Sequence, residues 1–210
     1  MSDPLRLGVL VSGGGRTLIN LADRIEDGSL RASIELVISS RAGATAIRRA
    51  RDRGFEVLIA TTRGFASLRL LHDAITSALL ERKVDLVCLC GYLRWFRVDE
   101  QFVGRVMNIH PALLPEFGGK GMFGLAVHRA VLEAGSEVSG CTVHFVDAKY
   151  DHGPVILQRT CPVLAGDDEH SLAARVFEHE CLAYPEAIGL FAEDRLRLID
   201  GLVEIDLPER

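Results

Sequence analysis

Three short stretches of this chain hold residue types that can do chemistry. The first is Asn108-Ile109-His110-Pro111. Side chains alternate along an extended backbone, so Asn108 and His110 share one side and Ile109 takes the other. Pro111 has no N–H to donate and ends a strand there. An amide donor beside an imidazole suits acyl-type transfer: the amide N–H holds an oxygen that turns negative, and the ring stabilises that charge or moves a proton. The same pair also serves simply to satisfy loop backbone groups, and two residues do not separate these readings. The second stretch is Tyr150-Asp151-His152-Gly153-Pro154. Gly-Pro makes a stiff turn, and an aspartate held by it beside His110 would raise the imidazole pKa and orient the ring. As a bare D-x-G-P it reads as an ordinary turn.

The third stretch is Ser12-Gly13-Gly14-Gly15-Arg16-Thr17. Glycine lets a ligand approach backbone N–H groups closely, and a helix starting here offers its positive end to an anion. The dinucleotide fingerprint G-x-G-x-x-G is broken by Leu18, and no Gly-Lys-Ser/Thr follows to make a P-loop. A single phosphomonoester on Gly15, Arg16 and Thr17 fits better than NAD or ATP. A tight strand-to-helix turn without a ligand is the competing reading.

The elements around these stretches follow from periodicity. Leu7–Val11 is a short apolar strand, and Leu18, Ile19, Leu21, Ala22 and Ile25 recur at helical spacing within 17–25. Strands at 34–38, 55–60 and 84–90 alternate with helices at 44–53 and 65–82, and 84–90 is apolar throughout, as in a strand buried on both faces. A strand over 103–109 leads into His110. A Pro- and Gly-rich loop covers 111–124, followed by a helix over 126–134 and strands at 141–146 and 155–158. The helical pattern over 171–191 is broken at Pro185, and Asp200-Gly201 signals a hairpin. The βαβα alternation predicts an α/β fold: a mostly parallel twisted sheet with helices on both faces.

The chain has 210 residues, 48% of them hydrophobic, which fits one domain with a substantial core. The net charge of −5 tilts against nucleic-acid binding. Cys88, Cys90, Cys141, Cys161 and Cys181 lack zinc-type spacing and read as reduced, packed cysteines of a cytoplasmic protein. No metal site is expected from the histidine and cysteine spacing. Neither a signal peptide nor a membrane span is expected.

Taken together, the order Ser12-Gly13-Gly14-Gly15, Gly91-Tyr92-Leu93-Arg94, Asn108-Ile109-His110-Pro111-Ala112-Leu113-Leu114-Pro115, Cys141-Thr142-Val143-His144-Phe145-Val146 and Asp151-His152-Gly153-Pro154-Val155-Ile156 resembles the glycinamide ribonucleotide transformylases of the formyltransferase superfamily. The resemblance runs from Leu7 to about Gly201. It implies one Rossmann-like formyltransferase domain over 1–210, with a nucleotide-phosphate half over about 1–110 and folate and catalytic loops over about 90–160. It implies 10-formyltetrahydrofolate as cosubstrate and direct formyl transfer to an amine, without a covalent enzyme intermediate. The expected partners are small molecules, with neither nucleic acid nor membrane, and the assembly is a monomer or homodimer.

Carried over by position, the resemblance makes Asn108 the ligand of the formyl oxygen, His110 the proton donor or charge stabiliser, and Asp151 the carboxylate that tunes His110. Gly15, Arg16 and Thr17 would take the substrate phosphate, and Glu180 would engage the amine. Leu93, Arg94, Trp95 and Phe96 would line the pterin pocket, and His128 and His144 would support the site through hydrogen bonds. Two departures stand out. Ala66-Ser67-Leu68-Arg69 occupies the place of a folate-contacting arginine, so Arg69 is the candidate substitute. The stretch between Pro115 and His128 is longer than in many relatives, and Gly118, Gly119, Gly121 and Gly124 predict a flexible lid whose Lys120 meets an anion of one ligand. Rival readings are methionyl-tRNA formyltransferase, formyltetrahydrofolate hydrolase and a non-catalytic nucleotide- or folate-binding module. The first two are expected to carry additional domains, and the third has no need of the Asn-His-Asp trio.

Overall fold

The computed structural model describes residues 3–206. The chain divides into two compact units, with the boundary between Met107 and Asn108. The main sheet has seven strands in the order β3-β2-β1-β4-β5-β6-β7, and a separate pair joins β8 and β9. The sheet is mostly parallel with flanking helices, as the alternation predicts.

In the first unit, β1 (Leu5–Val11) pairs in parallel with β2 (Ala32–Ser39) on one side and β4 (Leu86–Leu89) on the other. β3 (Val57–Ile59) extends the sheet in parallel beyond β2. The crossovers are α1 (Arg16–Glu26), α2 (Thr45–Asp52) and α3 (Leu68–Glu81). All four residues of β4 are buried, as its unbroken apolar run requires. At Gly8 a β-carbon would collide with Leu79 of α3, so the glycine lets that helix pack directly on β1. The order β3-β2-β1-β4 reverses direction between β1 and β4, the switch point at which open α/β sheets place ligands. Helix α3 begins at Leu68 rather than Phe65, because the Ser67 side chain caps it by accepting from the Leu70 N–H.

Strand β5 (Val106–His110) starts three residues later than the apolar run, after Gly104 turns the chain with φ 70°, and it includes His110. In the second unit, α4 (Leu125–Glu133) precedes a long antiparallel hairpin of β6 (Val138–Phe145) and β7 (Val155–Pro162). Helix α5 (Glu169–Ala192) runs unbroken through Pro185, against the break expected there. Proline forfeits one backbone hydrogen bond, at a cost of roughly 3 kcal/mol in an isolated helix. The apolar stripe of Val176, Ala183, Tyr184, Ala187 and Ile188 is buried on both sides of it and holds the halves in line. A capping box opens the helix: Asp168 accepts from the His170 and Ser171 N–H groups, and Ser171 accepts from the Asp168 N–H. The hairpin β8 (Leu196–Ile199) and β9 (Leu202–Ile205) turns at Asp200-Gly201, both at positive φ, the type I′ geometry the Asp-Gly pair favours.

Candidate active site

The second unit gathers Asn108, His110 and Asp151 into one cluster. Asn108 and His110 both reach Asp151, which is what their shared side of β5 demands. The Asn108 amide donates to Asp151 Oδ1 at 3.3 Å and lies 3.1 Å from Nε2 of His144. His144 Nδ1 sits 2.8 Å from the Phe145 carbonyl, so that nitrogen carries the proton and Nε2 accepts from Asn108. The β6–β7 register shifts between Val143 and His144, a bulge that aims the buried imidazole at the cluster.

His110 is 3% exposed. Its Nε2 donates to the Phe117 carbonyl at 2.8 Å, which leaves Nδ1 facing Asp151 Oδ2 at 3.6 Å. Burial pushes the His110 pKa down; Asp151 and the Phe117 carbonyl push it up, His144 adds to the lowering, and the net shift is downward. The carboxylate acts in the direction read from the sequence, but desolvation outweighs it. For Asp151, burial acts upward and is overcome by the neighbouring His144 and His110 rings and the Gly119 N–H, so the carboxyl stays below its ordinary range.

The D-x-G-P turn has a specific cause. A β-carbon on Gly153 would collide with the Phe145 carbonyl, and the Phe145 N–H donates to the Pro154 carbonyl at 2.9 Å. Asp147 braces the preceding turn by accepting from His152 Nδ1 and from the Lys149 N–H, each at 2.7 Å. Asp151 itself sits at φ 51°, a left-handed conformation that aspartate tolerates better than most residues.

The loop after His110 is anchored rather than loose at its near end. Thr142 Oγ1 donates to the Ala112 carbonyl at 2.7 Å and accepts from the Leu114 N–H at 3.0 Å and from Gln158 Nε2 at 2.8 Å. Gly119 N–H donates to Asp151 Oδ2 at 2.9 Å. The glycines therefore allow a path that delivers one carbonyl and one N–H to the cluster. Lys120 is exposed.

In the first unit, the glycine turn is pinned from α2. The Ala46 N–H donates to the Gly13 carbonyl at 3.1 Å, and the Arg49 guanidinium donates to the Gly14 carbonyl at 2.9 Å. Gly15 is the N-cap of α1 at φ 75°, where a β-carbon would meet Ala46 Cβ at 2.7 Å. It supplies no side-chain cap, and the first turn of α1 has no acidic residue. With its carbonyls held by α2 and α1 starting at Arg16, the turn has the polarity of an anion site. Buried Ser12 joins this turn to the chain after β4: its N–H donates to the Gly91 carbonyl at 3.1 Å, and its Oγ accepts from the Leu93 N–H at 2.8 Å and lies 2.6 Å from Ser40 Oγ.

A match to the family described as Formyl transferase covers residues 5–188. The chain belongs to the formyl transferase family. It is 37% identical over 195 residues to the phosphoribosylglycinamide formyltransferase, chloroplastic, of Arabidopsis thaliana, covering 91% of this chain and 67% of that one. It is 39% identical over 198 residues to the trifunctional purine biosynthetic protein adenosine-3 of Drosophila pseudoobscura pseudoobscura, covering 92% of this chain but spanning 14% of that protein's length. Among solved structures, glycinamide ribonucleotide transformylase 1 from Symbiobacterium toebii superposes with a TM-score of 0.90 at 41% identity, covering 98% of this chain and 95% of that one.

The remaining positions expected of a formyl transferase are placed unevenly. Leu93, Arg94 and Trp95 are exposed, whereas Phe96 is buried, its ring 6.4 Å from and edge-on to Tyr92. Phe96 thus packs inward rather than offering its ring to a ligand. Arg69 is exposed on the first turn of α3. Glu180 is half-buried on α5, near enough to Cys141 to add to the burial that pushes that thiol up to about 12. Phe117, Gln158 and Arg49 were not singled out in the sequence, and Gly119 and Thr142 were named without these contacts. Phe117 and Gly119 act through backbone atoms, which leave no side-chain signature, and the others depend on tertiary contact. Among the described residues, no group of three or more His, Cys, Asp or Glu is placed to hold a metal ion, and no helix is long and apolar enough to cross a membrane.

Proposed function

We propose that this chain, acting as one formyltransferase domain, transfers the formyl group of 10-formyltetrahydrofolate directly to the amine of glycinamide ribonucleotide in purine synthesis. The observation that carries this is the Asn108–His110–Asp151 cluster, closed around the buried His110, in a chain with over 30% identity to formyltransferases of that substrate across nearly its whole length. The reactant amine attacks the formyl carbon, and the carbonyl oxygen becomes an oxyanion. Asn108 Nδ2–H donates to that oxygen in place of its long bond to Asp151, and His110 serves beside it as proton donor or charge stabiliser. The amine loses a proton through water to Asp151, the oxyanion collapses with cleavage of the bond from the formyl carbon to N10, and the same proton passes back through water to N10, which leaves Asp151 ionised again. Asp151 suits the accepting role because it is held ionised.

Gly15, Arg16 and Thr17 take the substrate phosphate, with Arg49 holding the turn in shape, and Glu180 engages the amine. Leu93, Arg94 and Trp95 with the backbone around Phe96 receive the pterin, and Arg69 meets the glutamate tail. Five free cysteines fit a reducing, cytoplasmic setting. A formyl-transfer assay offering glycinamide ribonucleotide, Met-tRNA and water as competing acceptors tests the reading. Preferential formylation of glycinamide ribonucleotide is expected; faster formylation of Met-tRNA, or hydrolysis alone, overturns it.

A further inference from the structure

We propose that His72 and Asp73, adjacent on α3, are positioning residues that hold Trp95 and the segment around it for the folate cosubstrate; this rests on the assignment of residues 93–96 to the pterin. Three successive residues of that segment are gripped. Trp95 meets the His72 ring edge to face, with centroids 5.4 Å apart and planes at 88°. Phe96 turns inward onto Tyr92. Arg97 Nη2 donates to Asp73 Oδ1 at 2.6 Å. Two of the three grips come from α3, the helix whose first turn presents Arg69.

His72 is an unusual choice for a mere packing residue. It is 7% exposed, and its Nδ1 is buried with no hydrogen-bond partner, although a leucine or phenylalanine would fill a helix face without that cost. Its ring instead meets Trp95, the single tryptophan of the chain, which stays 41% exposed. A half-exposed indole braced at a right angle by a buried ring is a flat apolar surface of the size a pterin ring needs, and its angle depends on that brace. Burial and then the nearby Arg97 charge lower the His72 pKa and so favour the neutral ring, against the weaker upward pull of Asp73. A neutral ring can pack against the indole without bringing an unpaired charge into the site.

Steady-state kinetics and Trp95 fluorescence on the full chain test this, with His72→Ala, His72→Phe, Asp73→Asn and Trp95→Ala. His72→Ala and Asp73→Asn should each raise KM for 10-formyltetrahydrofolate by about 2- to 12-fold, the worth of an aromatic pair or a partly exposed ion pair. KM for glycinamide ribonucleotide and kcat should stay within about two-fold, since neither side chain meets the reacting atoms. Trp95 emission should become more quenchable by acrylamide, and His72→Phe should restore both folate KM and protection from quenching. Asp73 is at the surface, so its variant keeps the test open if His72→Ala fails to fold. If Trp95→Ala raises folate KM while His72→Ala and Asp73→Asn leave it at the parent value, the positioning role is wrong and the pocket assignment survives. If Trp95→Ala leaves folate KM unchanged, the pocket assignment is wrong and takes this inference with it.

Discussion

The Asn108–His110–Asp151 cluster of the second unit and the glycine turn of the first are built on opposite plans. The cluster is made of side chains, the two histidines buried and Asn108 and Asp151 half-buried, and each polar group is met by a protein partner: Asn108 by Asp151 and His144, His110 by Phe117, and Asp151 by Gly119. The turn is made of backbone, with Gly13, Gly14 and Arg16 exposed and its carbonyls held by Ala46 and Arg49. Chemistry that stabilises developing charge needs particular atoms held in a dry site, so identity matters at every position. Binding a preformed anion needs N–H groups in a given path, so what matters is the absence of side chains. Substitutions in the two regions should therefore fail differently, the first in kcat and the second in KM.

The sharpest break should come from Asp151→Asn, which removes the proposed proton acceptor and should lower kcat by roughly 10²- to 10⁴-fold. Its electrostatic signature has a definite sign. The Asp151 charge favours imidazolium, so its loss should lower a His110 pKa that burial already depresses, and protonated His110 should persist only to a lower pH than in the parent. An unshifted His110 ring titration by NMR would falsify the pairing. Stability follows the same linkage: a His whose folded pKa is depressed contributes stability above its ordinary value, and that stability is lost as pH falls from there toward the folded pKa.

Asn108→Ala should lower kcat by roughly 10²- to 10³-fold, the effect of losing one oxyanion donor. If kcat holds while KM rises, Asn108 belongs with the binding groups and the contrast between the two regions dissolves. Gly15→Ala is the counterpart in the turn. A β-carbon there meets Ala46, and φ 75° alone costs an L-residue about 1–2 kcal/mol, so folding stability should fall by about that much in a denaturant titration. KM for glycinamide ribonucleotide should rise on the order of 10-fold with kcat nearly intact. A fall in kcat with KM unchanged would show that the turn does more than bind. The mildest effect belongs to exposed Lys120, at the far side of the anchored stretch. Lys120→Ala should raise KM for one ligand by a factor worth ~1 kcal/mol, and unchanged KM for both in the same assay would remove its contact with an anion.

Much of this was legible in the linear chain because it is written in local periodicity. The strand–turn–helix opening, the doubly buried β4 and the Asp-Gly hairpin each depend on a few consecutive residues, and so does the shared side of Asn108 and His110. Glycine positions read correctly as turns, and Gly153 is needed where the Asp151 turn crosses the Phe145 carbonyl. The Asn-Ile-His-Pro and Asp-x-Gly-Pro pair became informative through its resemblance to a family rather than through either motif alone.

Tertiary structure decided what depends on burial and on long-range partners. Pro185 reads as a helix break in any local window, yet packing of the residues on both sides overrides it. The net fall in the His110 pKa could not be read from the neighbouring aspartate, because desolvation depends on how completely the ring is enclosed. Phe96 turned inward while Trp95 stayed out, a choice made by Tyr92 and His72 rather than by the apolar character the two share. The glycine-rich loop looked free because glycine permits many paths, and its near end is confined by the hydrogen bond that the Phe117 carbonyl accepts from His110 and the one that the Gly119 N–H donates to Asp151. Residue types and spacing determined which groups were available for chemistry; packing determined their protonation, their exposure and their partners, since each of these is set by atoms far away in the chain.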